Sequence, residues 1–228
     1  MSDRQAHEQF ERLLETARRV QGRLLFLPTV AVGGTAAALY ARHRVSLDVD
    51  FVTPYLREKF DEVEAALRGL PDFEIRRLRR PVLILGRVGE DEIGLRQLRR
   101  SEPLEVVERE GLCLPSLAEM IRVKSFVLSD RRAVRDYVDV CALVETAGME
   151  DAVRAMRPFA RLYEGLSTAG TLATFAEAAH DTPADAAEVN LREWRLLRPE
   201  YQGLERVRAV CEQFALNVIE NQAGQDPR

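Results

Sequence analysis

Lysine is almost absent from this 228-residue chain: of its 33 lysines and arginines, only Lys59 and Lys124 are lysine. A lysine kept against such a bias invites the question of why it is there. Cysteine is sparse too, and Cys113, Cys141 and Cys211 are scattered and odd in number, which excludes a disulfide framework and a cysteine-built zinc site. The three histidines, His7, His43 and His180, are as dispersed. No apolar run is long enough to span a bilayer, so no membrane partner is expected. The opening Met-Ser-Asp-Arg-Gln is polar and leads into an amphipathic helix, unlike a signal peptide, and the expected location is the cytoplasm. A formal net charge of -4 gives no global nucleic-acid footprint, although local basic patches stay open. What is present is a 46% apolar content, enough for a sizeable core, and 31% charged residues, typical of a soluble protein.

The hydrophobic periodicity predicts a helix over 4–24, a short strand over 29–32 and an alanine-rich helix from Thr35 to about Arg42. A strand over 46–52, a helix over 57–70 and extended segments at 73–78, 82–88 and 92–98 follow, with hairpin turns at 79–81 and 89–91. A short pair at 104–107 and 112–114 is expected to close the sheet. From Pro115 the chain reads as helical, with turns near Gly165, Pro183 and Pro199, and the tail 224–228 is expected to be loose. The fold class is therefore α+β: a mixed sheet with flanking helices, followed by a C-terminal helical region. The expected domains are a core over 1–114 and a helical domain over 115–228 that completes the active-site cleft.

The stretch Ser46-Leu-Asp-Val-Asp-Phe-Val52 carries the chemistry. A strand sends alternate side chains to one face, so Ser46, Asp48 and Asp50 share a face and Leu47, Val49 and Phe51 point to the core. Aspartate is a poor strand former, and two like charges side by side repel unless a cation lies between them. A divalent metal, most economically Mg²⁺, accounts for the pair. Gly33-Gly34 precedes them at a helix start, where backbone N–H groups can approach a phosphate closely. Thr35 can add a hydroxyl to that cradle.

Gly33-Gly34, thirteen residues and then Asp48-x-Asp50 resembles the active-site pattern of the polymerase-β-type nucleotidyltransferases. The longer run from Val32 to Phe51, with Gly-Gly-Thr-Ala-Ala-Ala-Leu and then His-Arg-Val-Ser-Leu-Asp-Val-Asp-Phe, resembles the AbiEii-like nucleotidyltransferases, often the toxin half of a bacterial toxin–antitoxin pair. The resemblance extends through Lys124 and Arg135-Asp136-x-x-Asp139, covering residues 30–145. It implies that Asp48 and Asp50 ligate Mg²⁺, and that Gly33, Gly34 and Ser46 shape the phosphate pocket. It also implies that Lys124 contacts the triphosphate, with Arg44, Asp136 and Asp139 at the nucleotide. The implied reaction moves a nucleoside monophosphate from an NTP to a hydroxyl of RNA, protein or a small molecule such as an antibiotic. The implied partner is a separately encoded antitoxin.

Other readings stand beside these. Lys124 lies on the stripe of Leu117, Met120, Ile121, Val127 and Leu128, and a snorkelling lysine is the plainer account. Arg132/Asp136 and Arg135/Asp139 fit ordinary helix-surface pairs four residues apart. His43 and Arg44 suit either phosphate neutralisation or simple solvation. The arginines at 76, 77, 79, 80, 87, 96, 99 and 100 form either a basic wall for a substrate or the protected outer face of a sheet edge. The resemblance also implies a third carboxylate on a later strand, where this chain places Gly94 and Arg96, with Asp91 and Glu92 just before them. Without that acid the chain reads equally as a catalytically silent nucleotide-binding or protein-interaction module.

Overall fold

The structure, a computed structural model, describes residues 3–194 and 196–223. The tail at 224–228 lies outside the described residues. The chain divides into two compact units, one formed by 1–39 and 45–116, the other by 40–44 and 117–228. The short segment Tyr40–Arg44 thus belongs with the helical unit although it joins two elements of the sheet unit.

In the sheet unit, α1 (Asp3–Arg23) is followed by β1 (Val30–Val32), α2 (Gly33–Ala41), β2 (Asp48–Thr53), α3 (Leu56–Arg68), β3 (Phe73–Arg79), β4 (Leu83–Val88) and β5 (Asp91–Gln97). The five strands form one sheet in the order β1-β2-β5-β4-β3, mixed because β2 and β5 run parallel while the other neighbours are antiparallel. Leu13, Leu14, Ala17 and Val20 recur at helical spacing on α1, and Phe60, Val63 and Leu67 on α3, and all are buried. They pack with Val49, Phe51, Ile84, Ile93 and Leu95 from one sheet face into the core. The Thr16 hydroxyl of α1 donates to Asp91 Oδ2 at 2.6 Å, which marks the face that the helix covers. The other face of β2 and β5 carries the acids.

Two expectations are corrected. Residues of β6 (Val106–Arg109) and β7 (Leu112–Pro115) do not close the main sheet but pair with each other as a separate two-stranded ribbon. Leu47 does not point to the core: β2 begins one residue later, and Leu47 is 53% exposed while Ser46 is buried.

The helical unit contains α4 (Leu117–Arg131), α5 (Val134–Ala147), α6 (Met149–Ala155), α7 (Phe159–Tyr163), α8 (Leu172–His180) and α9 (Leu204–Ala223). Its core is aromatic. Phe126 stacks on Tyr163 at 4.4 Å between centroids, and Phe159, Phe175 and Phe214 continue the contact chain. Among the described residues no helix is long and apolar enough to cross a membrane.

Candidate active site

On β2, Asp48, Asp50 and Val52 face outward while Val49, Phe51 and Thr53 are buried, so the strand alternates as its sequence pattern requires. Hydroxyls anchor Asp48. The Thr35 hydroxyl, fully buried at the start of α2, donates to the Asp48 carbonyl at 2.5 Å. Its hydroxyl hydrogen is therefore committed to the backbone rather than presented to a phosphate. Ser46 Oγ lies 3.0 Å from Asp48 Oδ1 and 3.2 Å from the Asp48 carbonyl, orienting the carboxylate.

Asp50 stands beside the glycine turn. Gly33 opens α2 at φ +79°, a conformation that side chains rarely adopt, and a Cβ there would sit 3.5 Å from Asp50 Oδ2. On its other side lies Gly94 of β5, the parallel partner of Asp50 in the register. A Cβ on Gly94 would come within 2.1 Å of Asp50 Oδ1, so this carboxylate leans into space that only a glycine leaves open. Arg96, one outward position further along β5, places Nε 3.4 Å from the same Oδ1.

The remaining candidates gather in the helical unit around α4 and α5. Lys124 is 3% exposed, and its ammonium lies 2.6 Å from Asp139 Oδ2 and 3.7 Å from Asp136 Oδ1. It is not a snorkelling lysine. Asp139 also accepts from Arg44 Nε at 2.8 Å and Arg44 Nη2 at 3.1 Å, and lies 2.7 Å from His43 Nε2. Both of its oxygens are thus taken twice, and as placed it has no lone pair left for a nucleotide. Burial alone would raise the Asp139 carboxyl, but Arg44, Lys124 and the His43 bond outweigh it and hold it well below the ordinary range. His43 is lowered as well, for a different reason. Burial pushes the imidazole down despite Asp139, which keeps the ring neutral at pH 7 with Nε2–H donating. Asp136 differs from its neighbour: burial raises its carboxyl, and Lys124 and Arg131 offset this only in part.

The helix-surface pairs do not form as expected. Asp136 pairs with Arg131 at 3.2 Å, and Arg132 turns to Asp181. The arginine run also separates. Arg80 binds Asp61 and Glu64, Arg87 binds Glu74, and Arg100 is buried against the carbonyls of Glu102 and Pro103. Arg76, Arg77 and Arg79 lie exposed on the edge strand β3.

No protein-family model matches the sequence, and no match was found among curated proteins. Solved structures do match. The chain is similar to MenT4, a nucleotidyltransferase toxin from Mycobacterium tuberculosis, with TM-score 0.57 and 15% identity over 96% of this chain and 90% of that one. It is also similar to a protein described as a candidate nucleotidyltransferase from Helicobacter pylori, with TM-score 0.56 and 18% identity over 97% of each chain. JHP933 from Helicobacter pylori gives TM-score 0.53 and 18% identity over 97% of this chain and 94% of that one. The fold is a nucleotidyltransferase fold.

Within that nucleotidyltransferase fold, the strand beside the Asp-x-Asp strand is β5, where the third acid was expected. Asp91 does not serve there, because its side chain turns to the helix-covered face and is held by Thr16 and by Arg12 at 3.6 Å. Glu92 lies on the acid-bearing face, paired in register with Asp48. Gly94 and Arg96 complete that face. Sequence reading missed Arg96 as a neighbour of Asp50. The signal was present, since residues 92, 94 and 96 of one strand must share a face, but the register between β2 and β5 is not written in either strand alone.

Proposed function

We propose that this chain is an Mg²⁺-dependent nucleotidyltransferase of the AbiEii type, acting in the cytoplasm as a toxin restrained by a cognate antitoxin. The observation that carries the reading is that Asp50 faces the left-handed Gly33 turn at the start of α2, so carboxylate and phosphate cradle meet at one place. The residues fit the ion. Asp48 and Asp50 offer hard oxygens from adjacent outward positions, and Mg²⁺ is commonly held by one or two carboxylates together with substrate phosphates. Among the described residues no three His, Cys, Asp or Glu side chains group as a full metal cage.

In this reading the backbone N–H groups of Gly33 and Gly34 bind phosphate oxygens, and Ser46 keeps Asp48 turned outward. Bound Mg²⁺ neutralises the charge that builds on the triphosphate during transfer. The acceptor hydroxyl gives its proton to solvent as its oxygen bonds to the α-phosphorus, the bond to the α–β bridging oxygen breaks, and pyrophosphate leaves with the electron pair. Lys124 is the ammonium that the family resemblance assigns to the nucleotide, and within the helical unit Asp139 holds it at 2.6 Å.

The test is a transfer assay with each labelled NTP against total RNA and total protein. Label is expected on an acceptor with Mg²⁺ and not after chelation, and expression is expected to arrest growth until the antitoxin is supplied. A second reading, the silent module, draws support from Gly94 and Arg96 at the third-acid positions. Saturable Mg²⁺–NTP binding with no labelled product on any acceptor would favour it.

A further inference from the structure

We propose that Arg96 makes metal binding at Asp50 conditional on nucleotide: its guanidinium holds the Asp50 carboxylate in the empty site and moves to the triphosphate when Mg²⁺–NTP arrives. The inference rests on the metal reading of Asp48 and Asp50 and adds to it a residue that orders ligand entry.

Three observations carry it. Arg96 shares the acid-bearing face with Asp48, Asp50 and Glu92, because the parallel register sets it beside Val52, one outward step beyond Asp50. Its Nε lies 3.4 Å from Asp50 Oδ1, and that same oxygen leans over Gly94 toward β5. Finally, Arg96 is 48% exposed and Asp50 31%, so the pair is open to solvent and the arginine is free to swing.

The physics follows from charge. A divalent ion at Asp50 must compete with Arg96 for Oδ1 and then sit near a fixed positive charge. Exposed ion pairs are weak, so this barrier is modest and a ligand can remove it. A triphosphate does so in two ways, by bridging the metal and by giving the freed guanidinium anionic oxygens that suit its fork of donors. Arg96 therefore penalises the bare ion and rewards the ion with nucleotide. That face carries Glu92 beside Asp48, but beside Asp50 it carries a cation.

The experiment measures Mn²⁺ affinity by titration calorimetry, alone and with a non-hydrolysable NTP, for the wild type, Arg96→Gln, Arg96→Lys and Asp50→Asn. Arg96→Gln is expected to bind Mn²⁺ alone about 3–10-fold more tightly, the size of one solvent-screened charge contact. It is expected to lose most of the gain in Mn²⁺ affinity that nucleotide gives the wild type. Arg96→Lys keeps the charge and is expected to restore the weak Mn²⁺-alone affinity. If Asp50→Asn abolishes Mn²⁺ binding while Arg96→Gln matches the wild type, the Arg96 inference is overturned and the metal reading stands. If neither the wild type nor Arg96→Gln binds Mn²⁺ with nucleotide present, the metal reading itself fails and takes the inference with it.

Discussion

Asp139→Asn should lower the unfolding free energy by about 3–5 kcal/mol, the usual cost of removing one partner from a buried ion pair. Asp139 is buried and is the shared acceptor for Lys124, Arg44 and His43. An asparagine would keep one acceptor and turn an N–H₂ group toward cations, taking from the buried ammonium its 2.6 Å partner and leaving it only Asp136 at 3.7 Å. Asp136→Asn is the informative contrast, with an expected loss of less than about 1 kcal/mol. Burial already favours its neutral form, and its Oδ2 has no hydrogen-bond partner among the described residues. Urea unfolding of both variants checks the pair, and equal losses would contradict the assignment of Asp139 as the hub.

The same cluster sets a pH dependence. The folded Asp139 carboxyl sits below its unfolded value near 3.9, so its contribution is complete above that pH and fades as pH falls below it. The folded His43 ring also sits below its unfolded value near 6.5. Below about pH 6.5 the unfolded chain takes up a proton that the folded chain refuses, and stability falls as the solution is acidified. Asp136 acts with the opposite sign: its raised carboxyl favours the folded state at low pH, and that gain disappears as pH rises through the raised value. Because the unfolded His43 takes up its proton in this range while the buried folded ring resists it, the melting temperature should fall between pH 7 and pH 5. A flat profile over that range would contradict a buried, neutral His43.

The strands and helices that build the sheet unit were legible because their patterns are local. Val49 and Phe51 alternate with Asp48 and Asp50, and Phe60, Val63 and Leu67 recur at helical spacing, so each element declares its buried side without its neighbours. The ribbon of β6 and β7 was not legible, since a short apolar strand does not say which edge it will join. Asp136 and Asp139 read as nucleotide-site residues or, on helix spacing alone, as surface pairs with Arg132 and Arg135, because the sequence does not show which distant residues will reach them. Their actual partners come from α4 and from the 40–44 segment, nearly a hundred residues away in the case of His43. The place of Lys124 within an apolar stripe pointed either to a snorkelling lysine or to a phosphate contact, and the structure instead gives it Asp139 as a buried partner.

On the proposed nucleotidyltransferase reading, Asp50→Asn should reduce transfer by about 10³-fold or more, because the several kcal/mol of charge stabilisation that Mg²⁺ would supply depend on the carboxylate proposed to hold it. Gly94→Ala should reproduce a large part of that loss without touching a charged group. A methyl at position 94 would stand 2.1 Å from Asp50 Oδ1, against backbone-anchored strands that cannot separate, so the carboxylate must rotate away. It would rotate off the side where Arg96 lies and lose its present placement between Gly94 and the Gly33 turn. A misplacement of about 1 Å at a reacting centre commonly costs about 10²-fold. The fold should survive, since the added methyl meets a side chain on the outward face rather than the packed core. Single-turnover transfer rates for Gly94→Ala, read beside its urea midpoint, check both halves. A slow enzyme with an unchanged midpoint is the expected result, and full activity would mean that Asp50 does its chemistry from a rotamer other than the one seen against Gly94.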